Sequence, residues 1–182
     1  MSIKQKNMKK IIFLSLIFAT FLLVGCYTKP EFSTTPNISF VGIDKFTVTN
    51  PLTTSREDSI IIKIKFQDGD GDLGLDQGDT LGTFKRGQPN HFNYKISVFV
   101  KNGAIFNPLP LPDPSFTYDG RFPRLEDRGR KNPLEGILTR NISFKQSSFV
   151  ANTILKFRIK IYDRALNVSN EIETSEVVVR QL

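Results

Sequence analysis

From Ile38 onward apolar side chains recur at every second position, and no later stretch carries the 3.6-residue spacing of an amphipathic helix. In SIIIKIKFQ, Ile60, Ile62, Ile64 and Phe66 alternate with Lys63, Lys65 and Gln67, so the spacing predicts a strand with its isoleucine face in a core. NYKISVFVKNG repeats the alternation with Tyr94, Ile96, Val98 and Val100 inward, and its Asn102-Gly103 pair predicts a tight hairpin with a partner strand from about Ala104. ILKFRIKIYD sets Leu155, Phe157, Ile159 and Ile161 against Lys156, Arg158 and Lys160, and SEVVVRQL reads as the last strand. ISFVGIDKFTVTN supplies one broken strand or two short ones, and EGILTRNISF another whose facing the sequence leaves open. About seven short strands with lysines outside and turn residues between them predict an all-β fold, an antiparallel Ig-like β-sandwich over residues 38–182.

Between Phe106 and Lys131 the alternation stops. Pro108, Pro110, Pro112 and Pro114 favour an extended path and exclude a central strand. The aromatic residues Phe106, Phe116, Tyr118 and Phe122 either cap one end of the core or form an adhesive surface. GRFPRLEDRGRK mixes basic and acidic residues and reads as a solvated, charge-balanced loop.

The opening of the chain has a different texture. Lys4, Lys6, Lys9 and Lys10 precede the fourteen residues Ile11 to Val24, almost all apolar and too few to cross a hydrocarbon core, which takes about 20. This predicts a signal peptide over 1–25, with Met1 or Met8 as its start. Leu23-Val24-Gly25-Cys26 resembles the lipobox of bacterial lipoproteins, which implies lipidation (palmitate) at Cys26, a membrane anchor there, and an outer-membrane location. YTKPEFSTTPN then predicts a disordered, lipidated tether over 26–37. Surface-export signals of Bacteroidota lipoproteins are acidic, whereas this tether carries only Glu31, which favours the periplasmic leaflet over the cell surface.

Two further resemblances follow from short stretches. IKIYDRALNVSNEIET resembles the penultimate strand, loop and last strand of bacterial Ig-like domains, with Leu166 where those domains carry glycine. FQDGDGDLGL, GRFPRL and YDRALN together resemble a family of Bacteroidota lipoproteins, and that resemblance implies no activity.

Charge and cysteine content narrow the function classes. The net charge of +7 falls to +3 once the four lysines of residues 1–25 are set aside, so the basic pI is no footprint for nucleic acid. Cys26 is the only cysteine, which leaves the domain without a disulfide or a thiol nucleophile. With His91 as the only histidine, no zinc-protease motif can form, and no G-x-S-x-G occurs. The residues point away from an enzyme.

The remaining chemistry lies in DGDGDLGLDQGD. Asp68, Asp70 and Asp72 stand at positions 1, 3 and 5 of a twelve-residue loop, with Gly74 at 7, Asp76 at 9 and Asp79 at 12, matching an EF-hand calcium loop at those places. Leu73 replaces its position-6 glycine and Asp79 its terminal glutamate. In an Ig-like order this loop shares an end with DRALN, so Asp163 and Asn167 could complete a calcium shell. The other reading is a mobile aspartate-glycine turn. Two function classes follow: a lipid-anchored, calcium-stabilised binding or accessory module for an envelope protein complex or polysaccharide, or an accessory hydrolase acting on polysaccharide through the acidic loop.

Overall fold

The computed structural model describes residues 30–125 and 132–181. The signal peptide, the lipobox with Cys26, and Arg128, Arg130 and Lys131 lie outside the described residues. The described residues contain eight strands and no α-helix: β1 (Asn37–Thr49), β2 (Arg56–Asp68), β3 (Tyr94–Asn102), β4 (Ile105–Pro108), β5 (Leu134–Lys145), β6 (Thr153–Ile161), β7 (Ile172–Glu173) and β8 (Val177–Val179).

Period-two patterning builds two antiparallel sheets. One has the order β1-β2-β5, and the other runs β4-β3-β6-β7 with β8 also on β6. The two most regular strands in the sequence, β2 and β6, are therefore central. Ile60, Ile62, Ile64 and Phe66 of β2 face Leu155, Phe157, Ile159 and Ile161 of β6 in one buried cluster. β5, whose facing was open, buries Leu138, Ile142 and Phe144 and exposes Ile137. The rings of Phe144 and Phe157 lie 6.1 Å apart and join the sheets. The architecture is an all-β sandwich.

Four details refine or correct the sequence reading. ISFVGIDKFTVT is one broken strand rather than two short ones: its irregularity at Val41 leaves Ile38 in the core and lets Phe40 before it and Ile43 after it pack against the core. The hairpin loop is Gly103-Ala104, one residue later than Asn102-Gly103: Asn102 pairs with Ile105, and Gly103 takes the positive φ of 61° that glycine adopts without strain. SEVVVRQL supplies the last strand, β8, and an unexpected two-residue strand, β7, precedes it; Thr174 between them donates its N–H to the Phe157 carbonyl and accepts the Phe157 N–H on Oγ1, keeping the edge of β6 satisfied. The tether, expected over 26–37, is packed from Phe32: Pro36 is buried, and Gly69 N–H donates to the Ser33 carbonyl at 2.8 Å.

The proline-rich stretch divides its aromatic residues. Phe122 is buried, and Tyr118 packs on Phe144 at 5.3 Å, so both cap the core. Phe116 stays exposed, and Phe106 lies beneath the ammonium groups of Lys101 and Lys156.

Candidate cation site

The site begins where alternation runs past the apolar residues. The inward face of β2 continues Ile60, Ile62, Ile64, Phe66, Asp68, and that of β6 continues Ile159, Ile161, Asp163. Parity alone therefore sends two carboxylates into the same end of the sandwich, where Asp68 is 0% and Asp163 1% exposed. Beyond β2 the chain turns sharply, with Asp68 Oδ2 accepting the N–H groups of Gly71 at 2.8 Å and Asp72 at 3.1 Å. Buried Leu73 then pairs with Asp163 in an antiparallel bridge and draws the loop across to the second sheet.

The DRALN loop closes the other side. Asp163 Oδ1 accepts the Asn167 N–H and Oδ2 its Nδ2, each at 2.7 Å, so Asn167 orients a carboxylate and its amide nitrogen does not face a cation. Asp72 Oδ2 accepts the Ala165 N–H at 3.0 Å. Leu166 occupies the left-handed region at φ 70°, the conformation for which glycine is ordinarily chosen, so the turn keeps its geometry at some strain.

One oxygen each from Asp68, Asp72 and Asp163 lies within 4.8 Å of the others. Oδ1 of Asp68, of Asp70 and of Asp72 is buried without a hydrogen-bond partner. Burial, then the charges of Asp70 and Asp72, push the Asp68 carboxyl up to about 7. Burial, then Asp163 and Asp70, raise Asp72. Burial also raises Asp163, against the bonds from Asn167 that favour its charged form. Unpaired buried carboxylate oxygens are costly, and like charges this close resist joint ionisation. A hard cation taking only oxygen ligands removes both penalties, and the donor set offers neither nitrogen nor sulfur to a softer metal.

The second half of the acidic loop behaves differently. Asp79 Oδ2 accepts the Asp76 N–H at 2.7 Å and is paired with Arg164. Arg124 lies 3.4 Å from Asp76 Oδ2, and Arg121 donates to the carbonyls of Asp76 at 2.8 Å and Asp79 at 3.1 Å. Burial would raise the Asp79 carboxyl, but the Arg164 bond and charge outweigh it and hold the group below its ordinary range. Positions 9 and 12 of the expected EF-type loop are thus neutralised by arginine and stand outside the carboxylate group. Gly74 at position 7 serves a close approach instead: at φ 95° it abuts Pro123, where any Cβ would collide with the Pro123 carbonyl. The neighbouring bonds run from Leu75 N–H to the Phe122 carbonyl at 3.0 Å and from Leu125 N–H to that of Leu73 at 3.3 Å.

Arg121 and Arg124 correct, for its described residues 120–125, the reading of GRFPRLEDRGRK as a solvated, charge-balanced loop. Their role is invisible in sequence because it depends on which acids a distant segment meets. No family model matches the chain, and comparisons with curated proteins and with solved structures find no match either.

Proposed function

We propose that the protein is a lipid-anchored, non-catalytic binding or accessory module of the cell envelope, stabilised by calcium bound among Asp68, Asp70, Asp72 and Asp163. The observation that carries the cation is the set of three buried, unpartnered Oδ1 atoms beside a group of converging carboxylates. Calcium suits an all-oxygen shell that draws on flexible loops, whereas magnesium demands near-ideal octahedral geometry and keeps several waters. The anchor is Cys26, and the β-sandwich presents loops to an envelope protein complex or polysaccharide. Burial of Asp68 and Asp163 favours a structural ion over a catalytic one, since a hydrolase acting through these acids needs them open to substrate.

Calorimetry and thermal unfolding of the detergent-solubilised protein with millimolar calcium test the ion. Heat of binding and a raised Tm are expected in the wild type and neither in Asp68→Asn with Asp72→Asn; an inert wild type refutes the ion. Incorporation of labelled fatty acid, lost in Cys26→Ser, tests the anchor separately.

A further inference from the structure

The N-terminal segment enters the domain at the end that holds the carboxylates, since Asn37 of β1 pairs with Gln67, next to Asp68 in β2. Phe32 to Ile38 is gripped from two sides there. On one side, the Gly69 N–H donates to the Ser33 carbonyl at 2.8 Å, and the chain passes so close that a Cβ on Gly69 would collide with the Phe32 carbonyl. Gly69 sits between Asp68 and Asp70. On the other side, Asn170 imitates a strand partner: its Oδ1 accepts the Ile38 N–H and its Nδ2 donates to the Ile38 carbonyl, both at 2.8 Å. Asn170 ends the loop that begins at Asp163, and Ser169 ties that end to the sheet by accepting the Ile161 N–H at 3.0 Å and donating to the Asn170 carbonyl at 2.8 Å. Each jaw of the carboxylate group therefore also holds the N-terminal segment.

We infer that the cation and the Phe32–Pro36 segment that leads into β1 bind cooperatively, so that cation occupancy governs whether this segment is docked on the domain. Resting on the cation proposed above, the inference follows from one physical fact. Without an ion, repulsion among Asp68, Asp70, Asp72 and Asp163 loosens the two loops, and with them both grips on the segment. With the ion, the loops and their grips are ordered together. Coupling of this kind is reciprocal: whatever factor the cation adds to docking, docking adds to cation affinity. For a chain anchored at Cys26 the consequence is mechanical. Release of Phe32 to Pro36 adds up to about 17 Å of extended chain ahead of β1, under the control of the divalent cation level outside the domain.

The experiment uses the full chain in detergent with calcium as the probe. Calcium binding is measured by calorimetry, and in the same samples cleavage after Phe32 by an aromatic-specific protease and hydrogen exchange at the Ile38 amide are followed. Calcium should slow both by about tenfold, within the usual range of coupling between sites. Gly69→Ala keeps every carboxylate but denies Phe32 its place; it should lose the protection and bind calcium more weakly by about the same factor. Asn170→Ala removes the other grip without touching a carboxylate and reads the same coupling if the first variant fails to fold. Calcium binding at full strength in the wild type with cleavage and exchange unchanged would overturn the inference and leave the cation standing. No calcium binding at all would remove both.

Discussion

Asp58 and Asp68 lie at opposite ends of the inward face of β2, ten positions apart, and both are 0% exposed. Asp58 is saturated: Oδ1 accepts Thr47 Oγ1 at 2.7 Å and Gln146 Nε2 at 2.9 Å, and Oδ2 accepts the Arg180 N–H at 2.6 Å. Burial alone would raise its pKa, but those bonds and the charge of Lys45 outweigh it, and the group rests below its ordinary value. Asp68 has one oxygen bonded to loop N–H groups and the other to nothing, with three further aspartates around it, and it rises to about 7. The same residue type in the same strand is thus a structural staple at one end and an incomplete site at the other. Burial does not separate them. Completion of the hydrogen-bond shell does, because a buried carboxylate is stable only to the extent that its oxygens are matched.

The largest test of that contrast is Asp58→Ala. It strands Gln146 Nε2 in a buried place and the Arg180 N–H in a half-buried one, and should cost about 3 kcal/mol in denaturant unfolding, with or without calcium. A loss below about 1 kcal/mol would show the network to be looser than its geometry. Next in size is the cation itself. At free calcium about 100 times Kd the wild type should gain about 2.7 kcal/mol of unfolding free energy. Asp58→Ala should gain the same increment from its lower baseline, whereas Asp68→Asn with Asp72→Asn should gain none.

Proton linkage separates the two ends by sign. The folded pKa of Asp68 is raised, so in metal-free protein its protonated form contributes stability at acid pH, and this is lost as pH climbs from about 4 through about 7. Asp58 is depressed, so its contribution is present above the unfolded value of 3.8 and is lost as pH falls below it. Saturating calcium should abolish the neutral-pH decline and leave the acid limb in place. Chelator-treated protein whose stability is flat between pH 5 and 7.5 would contradict this account of Asp68. The smallest effect is at Leu166. Replacing it by glycine relieves the left-handed strain, offset in part by the entropy of a freer unfolded chain, for a net gain of about 0.5 kcal/mol. The change should also tighten calcium binding slightly if the DRALN turn belongs to the site.

The identity, facing and central place of β2 and β6 were legible in the chain, because a half-buried strand needs alternation and these two keep it without a break, whereas the facing of β5 was settled only by packing. The same alternation carries Asp68 and Asp163 to the inner face, so the two carboxylates that anchor the candidate site could be found by extending parity past the last isoleucine. The aspartate spacing also pointed to Asp70 and Asp72. What alternation cannot state is partnership across loops. That Asp76 and Asp79 turn to Arg124 and Arg164, that Arg121 holds the loop backbone, and that Asp58 is saturated while Asp68 is not, were decided only when segments dozens of residues apart met in the fold. Period and parity are local properties of a strand. Charge neutralisation and hydrogen-bond completion belong to neighbours in space, and the tertiary structure alone assigns them.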